Sequence, residues 1–190
     1  NLTRNYTYNE FDSMAGGIVI DIPVTINGNG FVIDAKGKSR IFDIVSNNVV
    51  IKDITFMNAK SDYGVAIKSR EVSACTIENC NFINNTATDY GGAIYFKGSN
   101  GSIVNCSFNN NSADHDGGAI YFNSDSTVIL ANSSFTNNTA AVKGGSLLFY
   151  GKGNVTNCNF INNTAILVGG GAVVFESEGD ITNCNFINNK

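Results

Sequence analysis

The chain has 190 residues and a mass of 20.2 kDa, which suits one domain or one piece of a longer array. Its formal net charge of −4 at pH 7 gives nucleic acid no basic face to bind, and no apolar run approaches the roughly 18 residues of a membrane-spanning helix. Asparagine accounts for 30 residues, beside 20 glycines and one proline, so the composition is poor in helix formers and rich in turn formers.

The first 48 residues carry short apolar segments that are separated by turn residues. These segments are Ile18–Ile22, Val24–Ile26, Phe31–Ile33 and Ile41–Val45. Their length and the glycines between them predict strands. The stretch Asn1–Met14 is polar and aromatic, and it is predicted to form a cap or part of a preceding layer.

From residue 49 onward the sequence repeats one unit of about 26 residues. The unit reads I-x-N-C-x-F-x-N-N-x-A, a short variable stretch, and then G-G-A-I-x-F. Its first phenylalanine recurs in steps of 26, 27, 25 and 26, at Phe82, Phe108, Phe135, Phe160 and Phe186. A fixed period in this range is typical of a solenoid, in which each unit buries its apolar edge against its neighbours.

The local pattern indicates which solenoid this is. Each unit has two short runs of period-2 alternation, one around Asn81 and one around Tyr95, which predict strands. Asn-Asn and Gly-Gly pairs between them suit tight bends. The sequence therefore predicts an all-β parallel β-helix with two or three strands in each coil of about 26 residues. Residues 1–48 would supply irregular coils and a cap region, and residues 49–190 the regular repeats.

Stacking of the coils would place equivalent side chains about 4.8 Å apart along the axis. The interior rows are predicted to be the Phe82 ladder and the ladders that contain Ile77, Ile94 and Phe96. Two asparagine ladders are predicted at bends, where stacked amides bond to each other and to the backbone. Their members are Asn79, Asn105, Asn132, Asn157 and Asn183 in the first, and Asn85, Asn111, Asn138, Asn163 and Asn189 in the second.

Four of the five cysteines occupy one position of the repeat. They are Cys80, Cys106, Cys158 and Cys184, with Ser133 at the same position in the middle unit. Parallel side chains in stacked coils hold the Cβ atoms farther apart than a disulfide prefers. Free buried thiols are therefore predicted. No C-x-x-C spacing is present, and the glycine pairs match no phosphate loop, so no cofactor is expected.

A family resemblance rests on two recurring motifs and on the N-terminal segments. F-x-x-N spans Phe82–Asn85, Phe108–Asn111, Phe135–Asn138 and Phe160–Asn163, and G-G-A-I spans Gly91–Ile94 and Gly117–Ile120. This pairing resembles the repeats of chlamydial polymorphic outer-membrane proteins. With Leu2–Tyr8, Ile26–Asp34 and Ser39–Ile44, the chain is still more similar to the Asn-rich adhesin-like surface proteins of methanogenic archaea.

The resemblance covers nearly the whole chain and implies both a fold and a location. It implies a segment of a right-handed parallel β-helix in a secreted, wall-associated or surface-anchored protein that mediates attachment. Carbohydrate or a cell-surface receptor would then be the partner. The departures from the motif are Gly144–Leu147, the extra glycine of Gly169–Gly171, and Gly64–Ala66 with its single glycine.

An enzyme is the competing interpretation, because parallel β-helices also carry polysaccharide lyases and glycosidases. A glycosidase needs two carboxylates roughly 5–10 Å apart. The candidates are Asp62, Asp89, Asp114 and Asp116, which all precede the glycine pairs. Their offsets from the preceding phenylalanine differ, which weakens the case for a catalytic pair stacked in neighbouring coils. Asp114, His115 and Asp116 form a weak candidate metal site, since three or more convergent ligands are required.

The outward face of the strand around Tyr95 offers a candidate binding surface. If Ile94 and Phe96 point inward, then an outward row is formed by Tyr95, Tyr121, Leu148 and Val174. An exposed apolar row favours contact with a sugar, another domain or another chain, unless a loop covers it.

Three function classes remain open on the sequence alone: an adhesive module, a carbohydrate-active enzyme and a structural spacer rod. The adhesive module is favoured, because the repeats lack a fixed polar constellation and the resemblance points the same way. A bare terminal coil at Lys190 would expose strand edges, so self-association through the ends is also expected.

Overall fold

A computed structural model describes residues 1–9, 16–124 and 126–190 of the chain. Within these residues every regular element is a strand, and all strand pairs are parallel. The strands wind into a solenoid, and each repeat of the sequence forms one coil. The predicted parallel β-helix is confirmed.

The predicted N-terminal strands are present and belong to the same sheets as the regular coils. The first strands are β1 (Tyr6–Thr7), β2 (Ile18–Ile20), β3 (Thr25–Asn27), β4 (Val32–Asp34), β5 (Phe42–Ile44), β6 (Val49–Lys52), β7 (Thr55–Met57) and β8 (Lys60–Ser61). Strand β1 pairs with β4, so this part of the N-terminal stretch belongs to a preceding coil. Residues 10–14 of the predicted cap lie outside the described residues.

The regular coils each contribute four strands, and the sequence underestimated this number. The next eight are β9 (Ile67–Arg70), β10 (Cys75–Glu78), β11 (Asn81–Ile83), β12 (Thr86–Ala87), β13 (Ile94–Lys97), β14 (Asn100–Val104), β15 (Ser107–Asn109) and β16 (Ser112–Ala113). The remainder are β17 (Ile120–Phe122), β18 (Thr127–Ala131), β19 (Ser134–Thr136), β20 (Thr139–Ala140), β21 (Leu147–Phe149), β22 (Lys152–Thr156), β23 (Asn159–Ile161), β24 (Thr164–Ala165), β25 (Val173–Phe175), β26 (Gly179–Thr182) and β27 (Asn185–Ile187). The two-residue strands such as β12 are too short to show an alternating pattern.

These strands form four parallel sheets, of which sheets 1, 2 and 4 run nearly the length of the solenoid, while sheet 3 begins at β8. Sheet 1 has the order β1-β4-β7-β11-β15-β19-β23-β27, and sheet 2 the order β3-β6-β10-β14-β18-β22-β26. Sheet 3 has the order β8-β12-β16-β20-β24, and sheet 4 the order β2-β5-β9-β13-β17-β21-β25. Each coil therefore passes from sheet 4 through sheets 2, 1 and 3 before the next coil begins.

Like residues stack on like residues in the core, as the repeat predicts. Phe82 lies opposite Phe108 in the register of sheet 1, and their rings stack with centroids 4.7 Å apart and planes 3° apart. A second stack in sheet 4 places the Phe122 ring 4.2 Å from that of Phe149. These four side chains are fully buried, and each such pair adds about 1 kcal/mol beyond its area burial.

A buried ladder of amides closes the bend between sheets 1 and 3. The Asn111 side chain donates to Asn138 Oδ1 at 3.0 Å and to the Phe82 carbonyl at 3.1 Å. Its own Oδ1 accepts from the backbone and side-chain nitrogens of Asn85 at 3.1 and 2.9 Å. Both N–H groups and the acceptor oxygen of this buried amide are thus satisfied. The predicted role of the Asn85 ladder is confirmed.

The residue before each of these amides turns the chain. Asn84 and Asn110 both have φ of 55°, a left-handed conformation that asparagine tolerates better than most residues. The other predicted ladder occupies a second bend in the same conformation, with φ of 52° at Asn79 and 54° at Asn105. The abundance of asparagine therefore follows from two bends in every coil.

The two glycines of each pair are required for different reasons. Gly117 has φ of +66°, so it needs a left-handed backbone. At Gly118 the limit is space, because a Cβ atom there would lie 2.1 Å from the carbonyl oxygen of Gly145 in the next coil. The backbone explains both glycines without a ligand.

All five cysteines are free, as predicted. At the repeat position, the Cys106 thiol donates to the Val104 carbonyl at 3.2 Å. Ser133 makes the same contact to Ala131 at 2.8 Å and also accepts from the Cys106 backbone N–H at 3.1 Å. This shared hydrogen-bonding role explains why serine replaces cysteine there. Burial raises the pKa of the separate Cys75 thiol to about 12.

The last described coil exposes apolar side chains. Ile181 and Phe186 are 43% and 46% exposed. End-to-end association of copies stays a prediction.

Replacing Asn138 by alanine should lower the free energy of unfolding by about 3–5 kcal/mol. The change leaves the buried Asn111 nitrogens without their acceptor and the Phe108 carbonyl without its donor. Urea unfolding followed by circular dichroism measures the loss. The matched control is Asn109→Thr, which installs the residue of the next coil on the outer face and should change stability by about 0.5 kcal/mol or less. Equal losses in the two variants would contradict the role of the ladder.

Replacing Ser146 by alanine should raise the free energy of unfolding by about 1 kcal/mol. The Ser146 hydroxyl is buried and has no hydrogen-bond partner in the described part of the chain, and the neighbouring coils carry Ala119 and Ala172 there. Ser133→Ala is the opposite case, because that hydroxyl makes two hydrogen bonds, and it should be destabilising. Thermal melts of both variants provide the test, and destabilisation by Ser146→Ala would refute the expectation.

Candidate functional site

A groove of 470 Å³ lies on the outer face of sheet 4. Its floor is formed by Lys68, Tyr95 and Tyr121, which lie side by side in the register of β9, β13 and β17. The two tyrosine rings stack with centroids 5.3 Å apart and planes 6° apart. The groove therefore runs along the solenoid axis across three coils, roughly 10 Å.

The sequence left open whether the outward row is exposed or covered, and in the structure most of it is covered. Tyr95, Tyr121 and Leu148 do form an apolar cluster separate from the main core, as the alternation of inward and outward residues requires. However, both tyrosines are only 7% exposed, Leu148 is fully buried and Val174 is half-buried. The row is covered by side chains from the loops that precede the strands of sheet 4. A covering loop is one of the alternatives that the sequence left open.

The covering side chains, Tyr63 and Tyr90, form one wall of the groove. Both are half-buried, and their rings stack with centroids 5.8 Å apart. Tyr63 contacts Tyr95 with ring centroids 5.3 Å apart, and Tyr90 contacts Tyr121 at 4.8 Å. The aromatic surface that a ligand can reach therefore belongs mainly to the loop tyrosines.

The opposite wall is polar and cationic. It consists of Arg70, Lys97 and Asn123, which follow one another at the ends of β9, β13 and β17. Arg70 makes a bidentate ion pair with Asp43 at 2.8 and 3.1 Å. Lys97 has no carboxylate partner among the described residues, and Asn123 donates to the Tyr95 hydroxyl at 3.4 Å.

Lys68 connects the floor to the aromatic wall. Its ammonium nitrogen lies 5.0 Å from the centroid of the Tyr63 ring, within cation–π distance. Burial lowers the pKa of Lys68, and the nearby Arg40 charge lowers it further. The charges of Asp62 and Asp43 act in the opposite direction, but the net shift is downward. An additional anion beside this ammonium would favour its charged form.

Asp62 and Asp89 stack in consecutive coils, but their side chains serve different partners. The Asp89 backbone N–H donates to the Asp62 carbonyl at 3.1 Å. The Asp62 carboxylate pairs with Arg40 and accepts from the Tyr63 backbone N–H at 2.8 Å. Burial raises the pKa of Asp62, but the Tyr63 N–H and Arg40 outweigh this effect and hold it below its ordinary value. Asp89 accepts a hydrogen bond from the Tyr63 hydroxyl. This hydrogen bond is the main reason why the pKa of Tyr63 is raised to about 12.

Asp114 and Asp116 point to different environments. Asp116 is 4% exposed and accepts from the Lys143 backbone N–H at 2.9 Å, while its other oxygen lies 3.2 Å from His115 Nδ1. Asp114 is exposed. No group of three or more His, Cys, Asp or Glu side chains converges on a metal position within the described residues. The contacts of Asp116 tie together two neighbouring coils.

The sequence interpretation missed the groove walls, although a signal for them was present. Tyr63-Gly64 and Tyr90-Gly91 place a tyrosine at the same repeat position in two successive coils. The repeat alignment also places Lys68 beside Tyr95. Two further hollows, of 490 and 360 Å³, lie at the last coil and at asparagine-rich bends, and neither combines aromatic faces with cations.

The fold defines the class of proteins built as a parallel β-solenoid, here with a groove on the outer face of one sheet. Residues 41–190 match the family model for the right handed beta helix region, and the chain belongs to this family. No curated protein and no solved structure matches the chain. No helix of membrane-spanning length and hydropathy occurs among the described residues.

Chemically, the groove combines two kinds of contact. The half-buried tyrosine rings offer apolar faces with hydroxyl groups at their edges. The ammonium groups of Lys68 and Lys97 offer three N–H donors each. An elongated ligand with C–H faces and polar groups along its edge fits such a surface.

Replacing Asp89 by asparagine should reduce stability at neutral pH, because Tyr63 loses a charged acceptor. The folded pKa of Tyr63 is about 12, above the ordinary 10.0. A raised folded pKa contributes stability that is complete below pH 10 and is lost as the pH rises through about 12. The stability difference between wild type and Asp89→Asn should therefore shrink across this window in urea unfolding experiments. Asp114→Asn is the matched control, and a difference for Asp89→Asn that stays constant with pH would contradict the assignment.

Proposed function

We propose that this chain is an attachment module of a cell-surface or wall-associated protein, and that it binds glycans in the groove on sheet 4. The observation that carries the proposal is the pair of half-buried tyrosines, Tyr63 and Tyr90, facing a wall of hydrogen-bond donors. Sugar rings present C–H faces and hydroxyl edges, which match aromatic faces and polar donors respectively.

The extracellular location is part of the same proposal. It is supported by the resemblance of the F-x-x-N and G-G-A-I repeats to adhesin-like surface proteins. A rigid solenoid also suits display, since each coil adds about 4.8 Å of length without a flexible linker. The same geometry would serve a spacer rod, and the groove favours a binding role over a spacer role.

The engaged carboxylates support attachment over glycan cleavage. Hydrolysis of a glycosidic bond needs one carboxyl group that is protonated at working pH. The pKa of Asp62 is held below its ordinary value, and Asp89 and Asp116 accept hydrogen bonds that fix the loop. These contacts give Asp62, Asp89 and Asp116 structural roles that do not require catalysis.

Replacing both Tyr63 and Tyr90 by leucine should reduce glycan binding about 5- to 150-fold, which corresponds to a loss of about 1–3 kcal/mol of binding free energy. Leucine keeps Tyr95 and Tyr121 covered but removes the flat ring faces. Tyr6→Leu is the matched control, because Tyr6 is 37% exposed on sheet 1, away from the groove. The measurement is retention of the purified protein on plant, microbial-wall and host-cell polysaccharides, with new reducing ends recorded in the same samples.

Each outcome distinguishes one function class. Retention without new sugar ends, lost in the double variant and kept in Tyr6→Leu, supports attachment. New sugar ends would overturn the proposal and make Asp62, Asp89, Asp114 and Asp116 the residues to replace. Absence of both retention and products would favour the spacer rod.

A further inference from the structure

We infer that the groove selects anionic glycans, and that Lys68 and Lys97 are the residues that recognise the negative charge. This inference rests on the proposed glycan binding and adds the class of ligand. The shared chemistry is a sugar that carries a carboxylate or sulfate group.

The charge inside the groove is opposite in sign to that of the chain. The formal net charge is −4, yet the charged side chains that line the groove are Lys68, Arg70 and Lys97. Asp43 offsets Arg70 through the bidentate pair. Two ammonium groups are left to face the groove, and a ligand anion would find cations where the rest of the surface repels it.

Two carboxylates in the loops beside the aromatic wall already have partners. Asp62 is paired with Arg40, and Asp89 is bonded to the hydroxyl of Tyr63. Neither lines the groove. Lys97 has no carboxylate partner in the described part of the chain, so its ammonium can meet a ligand anion without breaking an existing ion pair.

The two lysines also stand where the charged edge of a sugar would lie. Lys68 contacts the ring of Tyr63 at one end of the aromatic wall, and Lys97 stands on the opposite wall one coil further along. A sugar stacked on the tyrosines would therefore have one cation on its own side and one across the groove. A neutral ligand would leave both ammonium groups without an anion, which lowers its relative affinity.

The test compares pairs of polysaccharides that differ in one kind of anionic group. The probes are hyaluronate with its uncharged carboxyl-reduced form, and chondroitin sulfate with desulfated chondroitin, which keeps its carboxylates. Wild-type protein should bind the more highly charged member of at least one pair about tenfold more tightly, and this preference should fall as ionic strength rises. The two pairs distinguish a carboxylate from a sulfate as the recognised group.

The variants separate specific contacts from net charge. Lys68→Gln with Lys97→Gln should remove the preference for the anionic probe, whereas Lys68→Arg with Lys97→Arg should keep it. Lys38→Gln with Lys60→Gln changes the net charge by the same amount at exposed positions outside the groove and should bind like wild type. Circular dichroism melts confirm that each variant is folded.

The outcomes of this inference and of the proposed function are distinguishable. Equal binding of the two members in both pairs would overturn the inference and leave glycan attachment standing. An anionic preference that falls equally in the groove variant and in its charge-matched control would overturn the role of Lys68 and Lys97. Binding to none of these probes, together with none in the wider polysaccharide panel, would overturn both.

Discussion

The constraint on which this solenoid depends is the satisfaction of buried backbone groups at its bends. Sheets satisfy their own peptide groups, but a coil must leave one sheet and enter the next without exposing its core. The Asn85 ladder solves this at the bend between sheets 1 and 3, because each amide bonds both to the next amide and to a phenylalanine carbonyl. The side chain thus continues the stacking where the backbone cannot.

The Asn85 ladder also fixes the register between neighbouring coils. If the chain slipped by one residue, the Asn85 amides would lose their partners and the Phe82 rings would move from the core to the surface. Both penalties act on every coil, so they add along the axis. The outer side chains are then free to vary, because they contribute little to the register.

The different roles of the stacked ladders and the outer side chains explain what the sequence could and could not predict. The Phe82 and Asn85 ladders, the free thiols and the N-terminal strands were predictable, because they follow from the stacking of equivalent residues. The strand Thr86–Ala87 was missed because two residues show no periodicity. Whether a loop covers Tyr95 was left open, because the answer depends on the direction of the Tyr63 side chain, which no period encodes.

The groove lies where the repeat keeps its backbone and changes its outer residues. At one position of sheet 4 the successive coils carry Asp43, Lys68, Tyr95, Tyr121 and Leu148. The last of these is a buried apolar residue, whereas the middle three form the groove floor. Departures from a repeat that cost the fold nothing are where a repeat protein can acquire a binding site.

The aromatic floor of the groove is held rigidly by ring contacts. Tyr95 and Tyr121 are stacked on each other and locked beneath Tyr63 and Tyr90, so a ligand need not order them. In the proposed glycan binding, the entropy cost would therefore fall largely on the exposed ends of Lys68 and Lys97. A buried aromatic floor that contacts a ligand only at its edges can still act in binding, because it holds the loop tyrosines in place.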